Sequence, residues 1–181
     1  MPNSPDLPLD ASPVPGDTRG RLLEAGLRLF GERGFEPVST RELARAADAN
    51  IAAIAYHFGG KQELYHAVVQ QLVTETEPII APAAAKVQAA IEAAGDYRGQ
   101  LSQVVALLVR ELLLAFTQGE RMQMRAALIL REYSHPTSAF DIIFKGRIEP
   151  LHKTISTLTA AALERAPDDP ATVVRAHSVI G

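Results

Sequence analysis

The chain has 181 residues, no cysteine, no tryptophan and a formal net charge of -3. Without thiols it forms no disulfide and does no thiolate chemistry. No apolar stretch is long enough to span a bilayer, and the slight negative charge supplies no general attraction to nucleic acid.

Alanine and leucine dominate and aromatics are few, which favours helices over sheets. The length suits one core, or a small head with a larger body. The N-terminus is proline-rich and acidic rather than basic and apolar, so it does not read as a secretory signal and the cytoplasm is the expected location. Residues 1–17, with prolines at 2, 5, 8, 13 and 15, are expected to form a disordered leader, because no helix or central strand tolerates that spacing.

A first helix is expected from Thr18 to Arg33. Asp17 or Thr18 caps it, Leu23, Leu27 and Phe30 recur on one face, and Gly34 ends it. Ser39 and Glu42 form the S-x-x-E pattern of a capping box opening a second helix. Its inward face is Leu43, Ala44 and Ala47. Asp48 and Ala49 make a turn, and Asn50 can cap a third helix, where Ile54 and Phe58 point inward. Gly59 and Gly60 end that helix. A fourth is expected from Lys61 to about Thr76, with Pro78 and Pro82 disturbing its continuation.

The body is expected to hold helices over 82–94 and 100–118. Leu101, Val104, Val105, Leu108, Leu112 and Phe116 form the core face of the second of these. A helix over 122–133 follows. The next opens at Pro136, carries Phe140 and Phe144, and kinks at Pro150. After the turn over residues 166–170, a last helix begins near Pro170. It keeps an apolar face to Gly181 with no stop signal, so the polypeptide reads as shorter than its architecture wants. The fold class is therefore all-α: a leader over 1–17, a three-helix helix-turn-helix head over 18–60, and a helical regulatory body over 61–181 that reads as cut short.

Two helices joined by a tight turn suit a reader of the DNA major groove. From Arg19 to Lys61 there are seven Lys/Arg and five Asp/Glu, a balance that permits DNA without demanding it. The expected phosphate contacts are Ser39, Thr40, Arg41, Tyr56, His57 and Lys61. Each has a plainer reading: Ser39 as only a cap, Tyr56 as a core aromatic, His57 as a surface histidine, Lys61 as a solvated lysine. Asn50 is the one polar side chain from Asn50 to Ala55, and the cap can consume it. Specificity is therefore expected to lean on apolar contacts from Ile51, Ala52, Ala53 and Ala55 to thymine methyls, on Arg41 or Arg45, and on DNA shape.

The run LFGERGFEPVSTRELARAADANIAAIAYHFGGKQELYHAVV resembles the DNA-binding head of TetR-type transcriptional regulators. The variant NIAAIAYHFGGK, with LREYSHPTSAF, IEPLHKTISTLTAA and AHSVIG in the body, is similar to the CecR branch. The resemblance implies a homodimer on a palindromic double-stranded DNA operator, and a body holding a small-molecule effector pocket. It also implies a ligand-released repressor of transporter or drug-sensitivity genes. Thr40 and Arg41 fall where the family's second helix meets backbone, and Tyr56, His57 and Lys61 match its phosphate-contact positions. The family's two final helices build the dimer interface, and the sequence stops early in the first of them. The alternative function is a helical ligand- or protein-binding module that lacks effective DNA control.

The pocket is expected between body helices and mostly apolar, lined by Leu108, Leu112, Phe116, Met124, Leu128, Phe140 and Phe144, with Arg131 as a polar member. An enzyme is not expected: His57, His66, His135, His152 and His177 show no H-E-x-x-H spacing, and there is no glycine-rich phosphate cradle. No metal or cofactor is expected.

Overall fold

The computed structural model of the protein describes residues 17–94, 98–116, 119–166 and 168–180. Every regular element among them is helical. The N-terminal end holds α1 (Thr18–Arg33), α2 (Thr40–Ala46) and α3 (Ala52–Phe58). A long α4 (Lys61–Ala94) leads to α5 (Arg98–Phe116), α6 (Glu120–Ser134) and α7 (Phe140–Ile143). A π-helical turn (Phe144–Ile148) then runs directly into α8 (Glu149–Leu163), against which α9 (Pro170–Ile180) packs. Among the described residues no helix is long and apolar enough to cross a membrane.

Helix α1 starts where the Asp17 carboxylate accepts the Gly20 N–H at 2.9 Å, and it ends at Gly34, whose φ of 82° suits a residue without Cβ. Its buried stripe, Leu22, Leu23, Leu27 and Phe30, joins Leu43 of α2, Ile54 of α3 and Leu64, Val68 and Leu72 of α4 in one core. Leu128 of α6 and Ile143 of α7 belong to the same core. A second, smaller core gathers Val87 and Ile91 at the far end of α4 with Leu101, Val104 and Leu158. Thus α4 runs through both.

That packing overturns the expected break after Thr76. Helix α4 continues through Pro78 and Pro82. An interior proline costs about 3 kcal/mol. Val68 and Leu72 before the prolines and Val87 and Ile91 after them are each buried to within 9 %, and a buried side chain of this kind contributes roughly 1.5–3 kcal/mol, which offsets the two prolines. Arg147 also serves the turn before Pro78, donating to the Val73 carbonyl and to Thr76 Oγ1.

Two further expectations change. Pro136 does not open a helix; α7 begins only at Phe140. The departure from α geometry expected at Pro150 lies in the turn just before it, where the Glu149 N–H reaches back five residues to the Phe144 carbonyl. Proline 150 cannot donate to the Gly146 carbonyl, and Arg147 Nη1 donates to it instead at 2.5 Å. Gly146 lets this turn lie against α4: a Cβ there would stand 2.6 Å from Val73 Cγ1. On α5, Leu101 and Val104 are buried as expected, whereas Val105 is 47 % exposed.

Candidate nucleic-acid interface and effector cavity

The helix-turn-helix is built by local hydrogen bonds that the residue types dictate. Ser39 Oγ accepts the Glu42 N–H at 3.2 Å, and Glu42 Oε2 accepts the Ser39 N–H at 2.9 Å. Arg33 Nη2 donates to Glu42 Oε1 at 2.8 Å. The Arg33 hydrogen bond and those from Ser39 hold the Glu42 carboxyl down at about 2. After Ala47, Asp48 takes a left-handed φ of 47°, and the Ala49 N–H closes back on the Ala44 carbonyl at 2.9 Å. Asn50 Oδ1 then accepts the Ala52 N–H at 2.9 Å, and Ile54 anchors α3 in the core. Arg21 of α1 braces the turn, with Nε to the Ala47 carbonyl at 2.9 Å and Nη2 to the Asp48 carbonyl at 3.3 Å.

What remains outside is a row of side chains facing solvent. Arg41 and Arg45 are exposed, and neither guanidinium makes a hydrogen bond or ion pair among the described residues. Ile51 is 48 % and Tyr56 86 % exposed, so Tyr56 is not a core aromatic; its ring meets His57 edge-on, centroids 4.9 Å apart. Ala55 is exposed, whereas Ala53 is half-buried and packs on the head core. Thr40 and His57 are half-buried. The Ser39 hydroxyl and the Asn50 amide are engaged as caps. Lys61 Nζ donates to the Glu36 carbonyl at 3.2 Å and lies 4.1 Å over the Phe35 ring, so it is half-buried rather than simply solvated.

Between α4, α5, α6 and α8 lies a cavity of about 410 Å³, walled largely by apolar side chains such as Ile80, Val87, Leu112 and Leu130. Of the expected lining, Leu108 and Leu112 are there. Met124, Leu128 and Phe140 are not; they belong to the head-side core. Phe144 is 37 % exposed and leans on Phe140 at 5.6 Å between centroids. Arg131 points to α1, donating to the carbonyls of Gly31 at 3.1 Å and Glu32 at 2.5 Å. The side chain of Phe116 lies outside the described residues. Helix α6 turns Met122, Ala126, Ile129, Leu130 and Tyr133 toward the cavity and a different face, with Arg125, Leu128, Arg131 and Glu132, toward the head.

Comparison with known proteins places this geometry. Residues 22–68 match the family described as bacterial regulatory proteins, tetR family. Residues 101–181 match the C-terminal domain of the HTH-type transcriptional dual regulator CecR. The CecR regulator of Shigella flexneri is 30 % identical over 161 residues, covering 89 % of this chain and 71 % of that protein. The chain belongs to the TetR family. It carries a CecR-type C-terminal domain and is a DNA-binding transcriptional regulator. The regulator YttP of Bacillus subtilis is 39 % identical over 54 residues, 30 % of this chain and 26 % of YttP. A TetR-family regulator structure from Mesorhizobium loti shares the fold with a TM-score of 0.53 at 18 % identity, over 91 % of this chain and 77 % of that one.

Several residues that position this regulator's head carry no local sequence signal. Arg21 meets its acceptors 26 and 27 positions away. Glu132 is buried on α6, where its carboxylate accepts the Tyr65 hydroxyl at 2.5 Å, the Thr137 N–H at 3.1 Å and the Thr137 hydroxyl at 2.8 Å. Burial, then Glu132, pushes the Tyr65 hydroxyl well above the usual phenol range. Tyr65 also packs edge-on against Phe30 at 4.8 Å. The hint in the sequence is a polar pair, Arg131 and Glu132, that follows the apolar run Ala126–Leu130 near the end of α6.

Proposed function

We propose that the regulator is an effector-released repressor acting as a homodimer on a palindromic operator, with transporter or drug-sensitivity genes among its targets. The observation that carries this reading is the double duty of α6. One face walls the cavity, and another grips the head through Arg131 on the α1 carbonyls and Glu132 on Tyr65. A ligand that displaces that wall acts on the helix that orients the DNA reader.

Phosphate anchoring falls to Arg41, Arg45, Tyr56, Thr40, His57 and Lys61, with Ser39 and Asn50 contributing through the helix starts they cap. Base reading falls to Ile51 and Ala55, with Ala53 at the edge. So bare a reading helix needs a second copy to define a site, because two half-sites fix both sequence and spacing. Pairing is supported by an exposed apolar row on α5, where Val105, Val109 and Leu113 are 47 %, 49 % and 59 % exposed.

The test is binding of the DNA upstream of the protein's own gene, followed by fluorescence anisotropy across salt concentrations, with mass in solution measured in parallel. A dimer whose affinity falls steeply with salt is expected. A monomer that ignores this DNA at low salt would favour a helical ligand- or protein-binding module instead.

A further inference from the structure

Among the described residues, five ionisable side chains line the cavity: Glu77, Glu111, Tyr133, Arg147 and His152. Arg147 offers nothing to a ligand. Its Nε donates to Thr76 Oγ1, its Nη1 to Glu77 Oε2 and the Gly146 carbonyl, and its Nη2 to the Val73 carbonyl and Thr76 Oγ1. That accounts for all five guanidinium N–H groups, and the guanidinium is the ion-pair partner of Glu77.

His152 sits 4.8 Å from His177, ring to ring. Burial, then the neighbouring imidazole, lowers its basicity and favours the neutral form. Glu111 is different. Its side chain is 11 % exposed, and its charged partner among the described residues is Lys86 Nζ at 3.7 Å. That separation is longer than a charge-assisted hydrogen bond, and the lysine side chain is 63 % exposed to water. The cavity is therefore an apolar chamber holding one under-compensated carboxylate. A charge so placed needs a partner. Tyr133 on the same wall adds an aromatic ring, a surface that attracts organic cations.

We propose that the cavity takes a compact lipophilic monocation, a tertiary or quaternary onium centre on an apolar frame, with the Glu111 carboxylate as its counter-charge. This rests on the reading of the cavity as the effector site. The volume of about 410 Å³ lies within the range of pockets for small organic ligands. The saturated Arg147 excludes a carboxylate or phosphate ligand held in the usual bidentate way.

The test is calorimetric titration of the full chain with tetraphenylphosphonium and with its near-isosteric anion tetraphenylborate, alongside the neutral dye Nile red. The cation is expected to bind about tenfold or more tightly than the anion. Glu111→Gln is expected to weaken the cation by about tenfold while leaving Nile red affinity unchanged, which also reports that the chamber is intact. Lys86→Met removes the competing ammonium from an exposed site and is expected to tighten the cation, the opposite direction. Tetraphenylborate binding as tightly as the cation, or unchanged cation affinity in Glu111→Gln, overturns the proposal. If in that case Nile red still binds and lowers operator affinity, the effector reading stands and only the ligand class falls. If no probe enters, both fall.

Discussion

Removing one oxygen from the strut between the head and α6 tests how the two parts are joined. Tyr65 is 1 % and Glu132 1 % exposed, and the phenol is one of three donors to that carboxylate. Tyr65→Phe keeps the edge-on contact with Phe30 and opens almost no cavity. The loss is then the hydrogen bond to a charged group, about 1.5–3 kcal/mol. In a chain of this size each kcal/mol moves the melting temperature by about 2–4 °C, so a fall of roughly 3–12 °C is expected. Urea unfolding of Tyr65→Phe, Glu132→Gln and the double variant gives the coupling directly. A loss below about 0.5 kcal/mol in Tyr65→Phe, or additive single variants, would refute the reasoning, because it would mean that Thr137 alone satisfies Glu132.

Other outcomes follow from the same geometry. Tyr56→Ala is expected to leave stability within about 0.5 kcal/mol, since the side chain is exposed, yet to weaken operator binding in anisotropy. Arg45→Ala is expected to lower the salt slope of DNA binding by about 1; an unchanged slope would remove Arg45 from the phosphate contacts. The Glu42 carboxyl is held from an ordinary 4.5 down at about 2, so its contribution is full above pH 4.5 and lost as pH falls toward 2; Glu42→Gln should flatten stability over that window in acid-titrated urea melts. Asp48→Val should cost about 1–2 kcal/mol at the left-handed position, whereas Asp48→Gly should cost nothing or stabilise, as read from urea midpoints.

The head was legible in the sequence because its signals are local. The start of α1 at Thr18, the Ser39–Glu42 capping box, the Asn50 cap and the glycines after Phe58 all stand where spacing places them. Each is decided by residues within four positions of one another. Two kinds of information were not local. One is the fate of α4, where burial at both ends overrides the prolines in the middle. The other is which face of α6 sees the cavity. Met124 and Leu128 look like Met122 and Ala126 in periodicity, and only the position of α1 decides which pair faces the head.

By itself, then, the sequence determined the all-helical class, the capped helix-turn-helix and its exposed, alanine-rich reading surface, through hydrogen bonds closed within a turn of helix. Tertiary structure alone decided that Tyr56 stands in solvent and Lys61 against Phe35, that Arg147 is saturated, and that Glu111 is left under-compensated in an apolar chamber. These depend on which atoms arrive from 25 to 75 residues away, and no short window of residues encodes the docking of one helix on another.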